Sequence, residues 1–455
     1  MSHTDWTNTI IYQIYPLSYQ DSNNDGKGDI QGIISRLPYL KQLGIPVIWV
    51  GPLYKTTWID SGYDVVDHTA IDPVFGSIDD VLKLIQKAHE SGIKVIFDFI
   101  PNHTSDQHPW FIESKSSKTN PKRDWYIWAS PGADGTEPNN WIAVFGGSAW
   151  SFDSGTAQYY LHTFYPQQPD INFDNPRTRT ALYSIMKFWL DRGVDGFRID
   201  AIAHIAKDPQ LRDNPINPKY NARKDDPYDI QLHTYDKFLP VRFIYMHEMI
   251  NIMSSYPNTF LMSESYASVK RMEEVMKNVD NTRHATTNFE LITLQWSAKS
   301  YYDHIRKYLA ICSKYNGIPN WTLSNHDRQR VASRVGHYGA RLLAVMQFTL
   351  PGIACVYYGD EIGMIATITN PTEKKDRYGF IDRDAQRTPM QWDDSENSGF
   401  SKTKPWISLN SNHSRINVKN QESQDDSMLK LYRKLIQLKK THPCVKWGSF
   451  SFNDP

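Results

Sequence analysis

Apolar and polar positions divide the chain into short β-branched or aromatic runs, separated by longer stretches where apolar residues recur every three to four positions. The runs Ile10-Ile11-Tyr12-Gln13-Ile14-Tyr15, Val47-Ile48-Trp49-Val50 and Lys94-Val95-Ile96-Phe97-Asp98-Phe99-Ile100 predict strands. Between them, residues 34–43 and a segment from Asp79 to about His89 repeat at helical spacing. Val81, Leu82, Ile85 and Ala88 fall at helical spacing in the second, and Asp79 is its predicted N-cap. After residue 103 this rhythm stops. Residues 104–172, rich in Ser, Pro, Gly, Asn and Trp, are longer than an ordinary connection and predict an inserted irregular subdomain. The alternation resumes with a helix over about Pro176 to Asp191 and strands at residues 194–201 and 260–264. Weaker strands are predicted near residues 287–289 and 321–324, and a last one at 354–358. The apolar run from Leu342 to Tyr358 is broken by Pro351-Gly352, which predicts a helix followed by a strand, not a membrane span.

About eight strands alternating with helices predict an α/β fold, a TIM (β/α)8 barrel built from residues 1–103 and 173–440, with 104–172 inserted after the third strand. A helix over Met428 to Lys440 completes it. Residues 441–455 end in what reads as the opening strand of a truncated C-terminal β domain.

The polar exceptions inside these runs carry the chemistry. In Val194-Asp195-Gly196-Phe197-Arg198-Ile199-Asp200, residues i and i+2 point to the same face, so Arg198 and Asp200 emerge side by side. Such a pair is costly mid-strand and useful at a strand's C-terminal end, where barrel enzymes place their sites. His103, Glu264, His326 and Asp327 also follow strands. Three acids converging with no thiol, no Ser/His/Asp arrangement and no phosphate loop point to acid–base work on a neutral substrate, and glycoside cleavage fits best.

Composition narrows the partners. Fifty Lys and Arg balance fifty Asp and Glu, which argues against nucleic acid and anionic membranes. The 13% aromatic content suits a sugar cleft and a large aromatic core equally. Cys312, Cys355 and Cys444 are odd in number and scattered, so no disulfide framework is expected. The start, Met1-Ser2-His3-Thr4-Asp5-Trp6, has neither a basic nor an apolar leader region, and a cytoplasmic protein is expected, as a monomer or homodimer. The loop Asp21-Ser22-Asn23-Asn24-Asp25-Gly26-Lys27-Gly28-Asp29 spaces oxygen ligands at every second position. Gly32 stands where an EF-hand needs its glutamate, so a bound Ca²⁺ or Mg²⁺ is expected without a complete EF-hand.

With these residues in view, the chain resembles the α-amylase family of glycoside hydrolases, in its α-glucosidase/oligo-1,6-glucosidase branch. The resemblance runs from Gln13-Ile14-Tyr15-Pro16 through Gly62-Tyr63-Asp64, Asp98 to His103, Gly196 to Asp200, Glu264 and Asn325-His326-Asp327 to Arg387-Thr388-Pro389-Met390-Gln391-Trp392. It implies Asp200 as nucleophile, Glu264 as general acid/base and Asp327 as transition-state stabiliser. Tyr63, His103, Arg198 and His326 would line the subsite for the non-reducing glucose. Asp60 would grip that sugar's outer hydroxyls with Arg383 or Arg387 as partner. Asp21, Asn23, Asp25, the Lys27 carbonyl and Asp29 would hold a structural Ca²⁺ or Mg²⁺. Gln168-Pro169-Asp170-Ile171-Asn172 looks like the variant of exo-acting glucosidases. Ser263 before the acid and Gln329 after the stabilising aspartate depart from the commonest pattern. Ala201, where relatives favouring α-1,6 bonds tend to carry valine, suggests α-1,4 substrates such as maltose and short maltooligosaccharides. The alternatives are an oligo-1,6-glucosidase, a sucrose or maltose isomerase or a transglucosylase with the same acids. Further readings are a non-catalytic transporter subunit and a metal enzyme using His103 and His326.

Overall fold

A computed structural model describes residues 5–367, 372–377, 382–446 and 448–452. Eight parallel strands form one sheet: β1 (Ile10–Ile14), β2 (Val47–Val50), β3 (Lys94–Phe99), β4 (Gly196–Ile199), β5 (Phe260–Ser263), β6 (His284–Thr286), β7 (Asn320–Thr322) and β8 (Ile353–Tyr357). Their order is β6-β5-β4-β3-β2-β1-β8-β7, which curls into a nearly closed barrel with its seam between β6 and β7. The helices on its outside are α1 (Ile30–Leu43), α2 (Ile78–Glu90), α3 (Pro176–Leu190), α4 (Arg242–Ser254), α5 (Val269–Asn278), α6 (Ala298–Tyr315), α7 (Val331–Thr349) and α8 (Met428–Thr441).

Strands buried on both faces read as continuous apolar runs because each face meets a different shell. One face of each strand packs against the helices. The other fills the barrel's interior with Ile11, Val47, Trp49, Ile96, Phe260, Met262, Ala285, Ile353 and Cys355, and Trp6 stacks flat on Phe260 with ring centroids 4.9 Å apart. Register then aligns the polar exceptions: Asp98 of β3 lies opposite Arg198 of β4.

Four element assignments differ from the sequence pattern. The sixth strand is His284–Thr286, not 287–289: the Thr287 and Asn288 side chains bond across the strand's end, to the Ser263 carbonyl and to His304. Helix α1 begins at Ile30, where the Asp29 side chain accepts from the Gly32 N–H. Helix α2 is capped by Ser77 in a reciprocal capping box with Asp80, so Asp79 is a first-turn residue and not the cap. The predicted terminal strand is also absent from the described residues 448–452; a short helix, Pro443–Lys446, precedes them. A single strand with no partner beside it is not stable.

Between β3 and α3 lie a helix (Pro109–Ser116) and an antiparallel sheet of Trp128–Ala129, Gln158–Leu161 and Trp150–Asp153. A second excursion, residues 201–241, carries only a 3-10 turn (Pro227–Ile230). The two are stitched together: Asn139 Nδ2 donates to the Leu211 carbonyl, Trp141 Nε1 to the Arg212 carbonyl, and Asn140 Nδ2 to the Asn214 carbonyl. No helix among the described residues is long and apolar enough to cross a membrane.

Candidate active site

At the C-terminal ends of the strands, Arg198 is the hub. It is fully buried, and its Nη1 donates to Asp98 (2.9 Å) and Asp200 (2.6 Å) while Nη2 donates to Glu264 (2.5 Å). Strand geometry fixes the acids. Asp200 N–H continues the ladder to the Phe99 carbonyl, and Glu264 N–H continues it to Ile199. The chain then turns sharply at Ala201, a non-glycine residue at φ +49°, and its N–H donates to Glu264 Oε2 (2.8 Å). Strain of this kind persists only where the surroundings impose it.

Asp327 stands apart from this hub. The Asn325 side chain accepts from the N–H groups of Asp327 and Arg328, a turn that sets the carboxylate's direction. Arg387 Nη2 donates to it at 2.9 Å, and Arg383 Nη1 lies 3.6 Å away. His326 links the groups. Gln13 donates to its Nδ1 (2.9 Å), leaving the proton on Nε2 beside the Tyr63 hydroxyl (2.8 Å) and Asp327 (3.4 Å); Tyr63 in turn donates to Asp98 (3.2 Å).

The third group closes the far wall. Asp64 accepts from the N–H groups of Thr57, Ile59 and Asp60, folding that loop so that Asp60 faces inward. Arg383 donates to Asp60 (2.8 Å) and makes two bonds to Asp376, which resolves the choice between the two arginines: Arg383 partners Asp60 and Arg387 partners Asp327. Gln168 donates to Asp60 (3.0 Å) and lies 3.2 Å from His103.

All ten expected catalytic and sugar-binding side chains therefore meet at one cavity of about 720 Å³. Asp60, Tyr63, His103, Asp200, Glu264, Asp327 and Arg383 line it; Arg198, His326 and Arg387 stand directly behind. Sequence reading assigned no role to Asp98, Gln168 or Asp376. For Asp98 a signal existed: a lone carboxylate in an apolar strand, one strand over from Arg198.

Burial and mutual repulsion separate the acids. Burial, opposed by Arg198, pushes Asp98 up to about 6, Asp200 to about 7 and Glu264 to about 8. Asp327 is also pushed up by burial, but the charges facing it win and hold it well below the carboxylate range. Burial lowers His326 to about 3, so that ring is neutral near pH 7 and the lowering of Asp327 there rests on Arg383, Arg387 and Arg198. His103 is likewise held below its usual value by burial.

Neither histidine offers metal-ligand geometry. Their ring nitrogens face Gln13, Tyr63, Asn102 and Gln168, and among the described residues no group of three or more His, Cys, Asp or Glu is arranged to hold an ion. None of Asp21, Asn23, Asp25, Lys27 and Asp29 lines the cavity. Asp21 accepts from the N–H groups of Asn23, Asn24 and Gly26, and Asp29 from Ser22 and Gly32, so the loop satisfies its own oxygens. An all-oxygen donor set still matches a hard cation in chemistry. Where the inserted segment meets the barrel, the Lys207 ammonium bridges Asp170 (3.0 Å) and the His204 carbonyl, so a protein cation already neutralises that carboxylate.

Comparison with known proteins points to one family. The alpha-amylase family model, described as the alpha amylase catalytic domain, matches residues 13–448. The chain is 38% identical to a probable alpha-glucosidase of Rhizobium meliloti (strain 1021), over 98% of this chain and 84% of that protein. It is 38% identical to the oligo-1,6-glucosidase of Parageobacillus thermoglucosidasius, over 99% and 86%. The crystal structure of the alpha-glucosyl transfer enzyme XgtA superposes with a TM-score of 0.94 at 38% identity, covering 99% of this chain and 87% of that one.

Proposed function

Because the chain belongs to the alpha-amylase family and is a glucosidase-type glycoside hydrolase within it, we propose that it is a retaining, exo-acting α-glucosidase releasing terminal glucose from maltose and short maltooligosaccharides. One observation carries this reading: a single buried guanidinium holds Asp200 and Glu264 together, with Asp327 ionised nearby. That sharing favours the short carboxyl separation of retaining enzymes, about 5–5.5 Å, over the wider gap that admits a water between the acids.

In the first step the Asp200 carboxylate forms a bond to the anomeric carbon. The glycosidic bond breaks toward its oxygen, which takes the Glu264 proton. In the second step Glu264, now a base, removes a proton from water as the oxygen adds to the anomeric carbon and Asp200 departs. Asp327, kept anionic by Arg383 and Arg387, stabilises the positive charge that develops on the ring. The Asp60–Arg383 pair supports exo action, since it closes the wall beyond the terminal sugar. The small side chain of Ala201 leaves room for an α-1,4 linkage. The loop 21–29 is proposed to bind Ca²⁺ or Mg²⁺ in a purely structural role.

A second reading, transfer of glucose to another sugar, is favoured by the similarity to an alpha-glucosyl transfer enzyme. A panel of maltose, isomaltose, sucrose and trehalose, followed by NMR of the anomeric proton, separates the two. Free α-glucose from maltose, abolished in Asp200→Asn, is expected. An isomeric disaccharide as the sole product would favour transfer, and initial release of β-glucose from sucrose, whose only glucose comes from the cleaved bond, would exclude the retaining mechanism.

A further inference from the structure

Strand β1 carries an amide where its pattern calls for an apolar residue. Tyr12 and Ile14 pack toward the helices while Ile11 packs into the barrel's interior, so alternation places Gln13 on that interior face. Its side chain is 3% exposed, stands in register beside Trp49 of β2 and Tyr357 of β8, and does not line the cavity. A buried amide is costly unless it is hydrogen-bonded. Gln13 directs its Nε2 at His326 Nδ1 (2.9 Å), 313 positions away.

The His326 ring is held on both faces. Tyr15 and Tyr63 lie nearly parallel to it, with centroids 6.2 and 5.3 Å away, and Trp49 meets its edge at 6.3 Å. Each nitrogen therefore has fixed partners: Nδ1 has Gln13, and Nε2 has the Tyr63 hydroxyl (2.8 Å) and Asp327 Oδ2 (3.4 Å). Burial keeps the ring neutral. Asp327 favours its protonation, Arg387, Arg198 and Arg383 oppose it, and burial keeps the flanking phenols of Tyr15 and Tyr63 uncharged. A neutral imidazole has one proton and so two tautomers. With the proton on Nε2, the ring donates toward Tyr63 and Asp327, and the Tyr63 hydroxyl remains able to donate to Asp98 (3.2 Å). With the proton on Nδ1, a lone pair would face the Asp327 carboxylate, and N–H would meet N–H at Gln13.

We propose that Gln13 is a positioning residue for catalysis: by donating to Nδ1 it holds His326 in the Nε2–H tautomer, which supports Asp327 and Tyr63 where they line the sugar pit. This deepens the glucosidase reading above and rests on it for the rate effect, though not for the tautomer. A reversed tautomer leaves the ring in place yet turns a donor into a lone pair beside the group that stabilises the transition state. The loss therefore falls on kcat more than on KM.

The test uses two variants of similar length: Gln13→Glu, which accepts a proton from Nδ1, and Gln13→Met, which offers no donor. Protein carrying isotope-labelled histidine nitrogens reports the tautomer directly by NMR, the His326 signals being those lost in His326→Gln. Near pH 7 the wild type should show Nε2–H and Gln13→Glu a proton on Nδ1. For maltose, kcat should fall about 100-fold in Gln13→Glu and about ten-fold in Gln13→Met, with KM within about three-fold. Nδ1–H in the wild type, an unchanged tautomer in Gln13→Glu, or an unchanged kcat beside an altered tautomer would each overturn the proposal. A lower melting temperature with the tautomer retained would give Gln13 a packing role only, and would overturn it too. Should Gln13→Glu not fold, the same two readings on Gln13→Met decide. If the wild type cleaves no α-glucoside, the glucosidase reading fails and the rate effect with it, while the tautomer is still read from the spectrum.

Discussion

At the residue scale, the site is organised by a deficit of positive charge. Arg198 faces three acids, so burial leaves Asp200 and Glu264 with raised pKa values. That arrangement keeps Glu264 protonated as an acid, and it also strains the fold. An acid whose folded pKa exceeds its unfolded value holds its proton in the native state while the unfolded chain has released it, so stability falls as pH rises from about 4 toward the folded value. Asp200→Asn removes this burden. Thermal melts should show the inactive variant more stable than the wild type at pH 8, by a few degrees, with the gap closing near pH 4; a lower melting temperature at pH 8 would refute the electrostatic account. Arg198 and Asp200 were legible in the sequence because strand alternation alone sets them on one face. Asp98 was not assigned, since its role depends on a register between two strands 100 residues apart.

At the element scale, periodicity found each barrel strand wherever apolar bulk was dense and slipped where it was thin. In β6, His-Ala-Thr carries little β-branched signal, and the more polar Thr-Asn beyond it drew the assignment forward. Helix α2 shows the same limit at a terminus. Asp79 and Ser77 are both plausible caps by residue type, and only geometry shows that Ser77 accepts from Asp80 N–H while Asp80 reaches back. Ser77→Ala should therefore cost about 1 kcal/mol in urea unfolding. Asp79→Ala should cost less, because a first-turn acid contributes only about 0.3–1 kcal/mol through the helix dipole. Neither substitution should alter kcat/KM. The 201–241 excursion escaped notice for a different reason: it has no period to detect, and its order comes from bonds to Asn139, Asn140 and Trp141 in another loop.

At the scale of the whole molecule, the junction between inserted segment and barrel relies on Lys207 for its positive charge, whereas the loop 21–29 is the proposed ion site. Dialysis against a strong chelator should leave catalytic activity intact while lowering the melting temperature, which added Ca²⁺ restores. Loss of activity with no change in melting would refute a purely structural ion. Long-range pairs such as these are where sequence reading stopped, because nothing local marks which of two arginines reaches across the barrel. The far wall of the pit is the extreme case. Asp60 and Arg383 are 323 positions apart yet touch, so the specificity pocket joins the chain's earliest-made third to its last. A ribosome that has already delivered all eight strands still holds an enzyme with an open back, and sugar selectivity cannot begin until the loop carrying Arg383 has emerged and folded home.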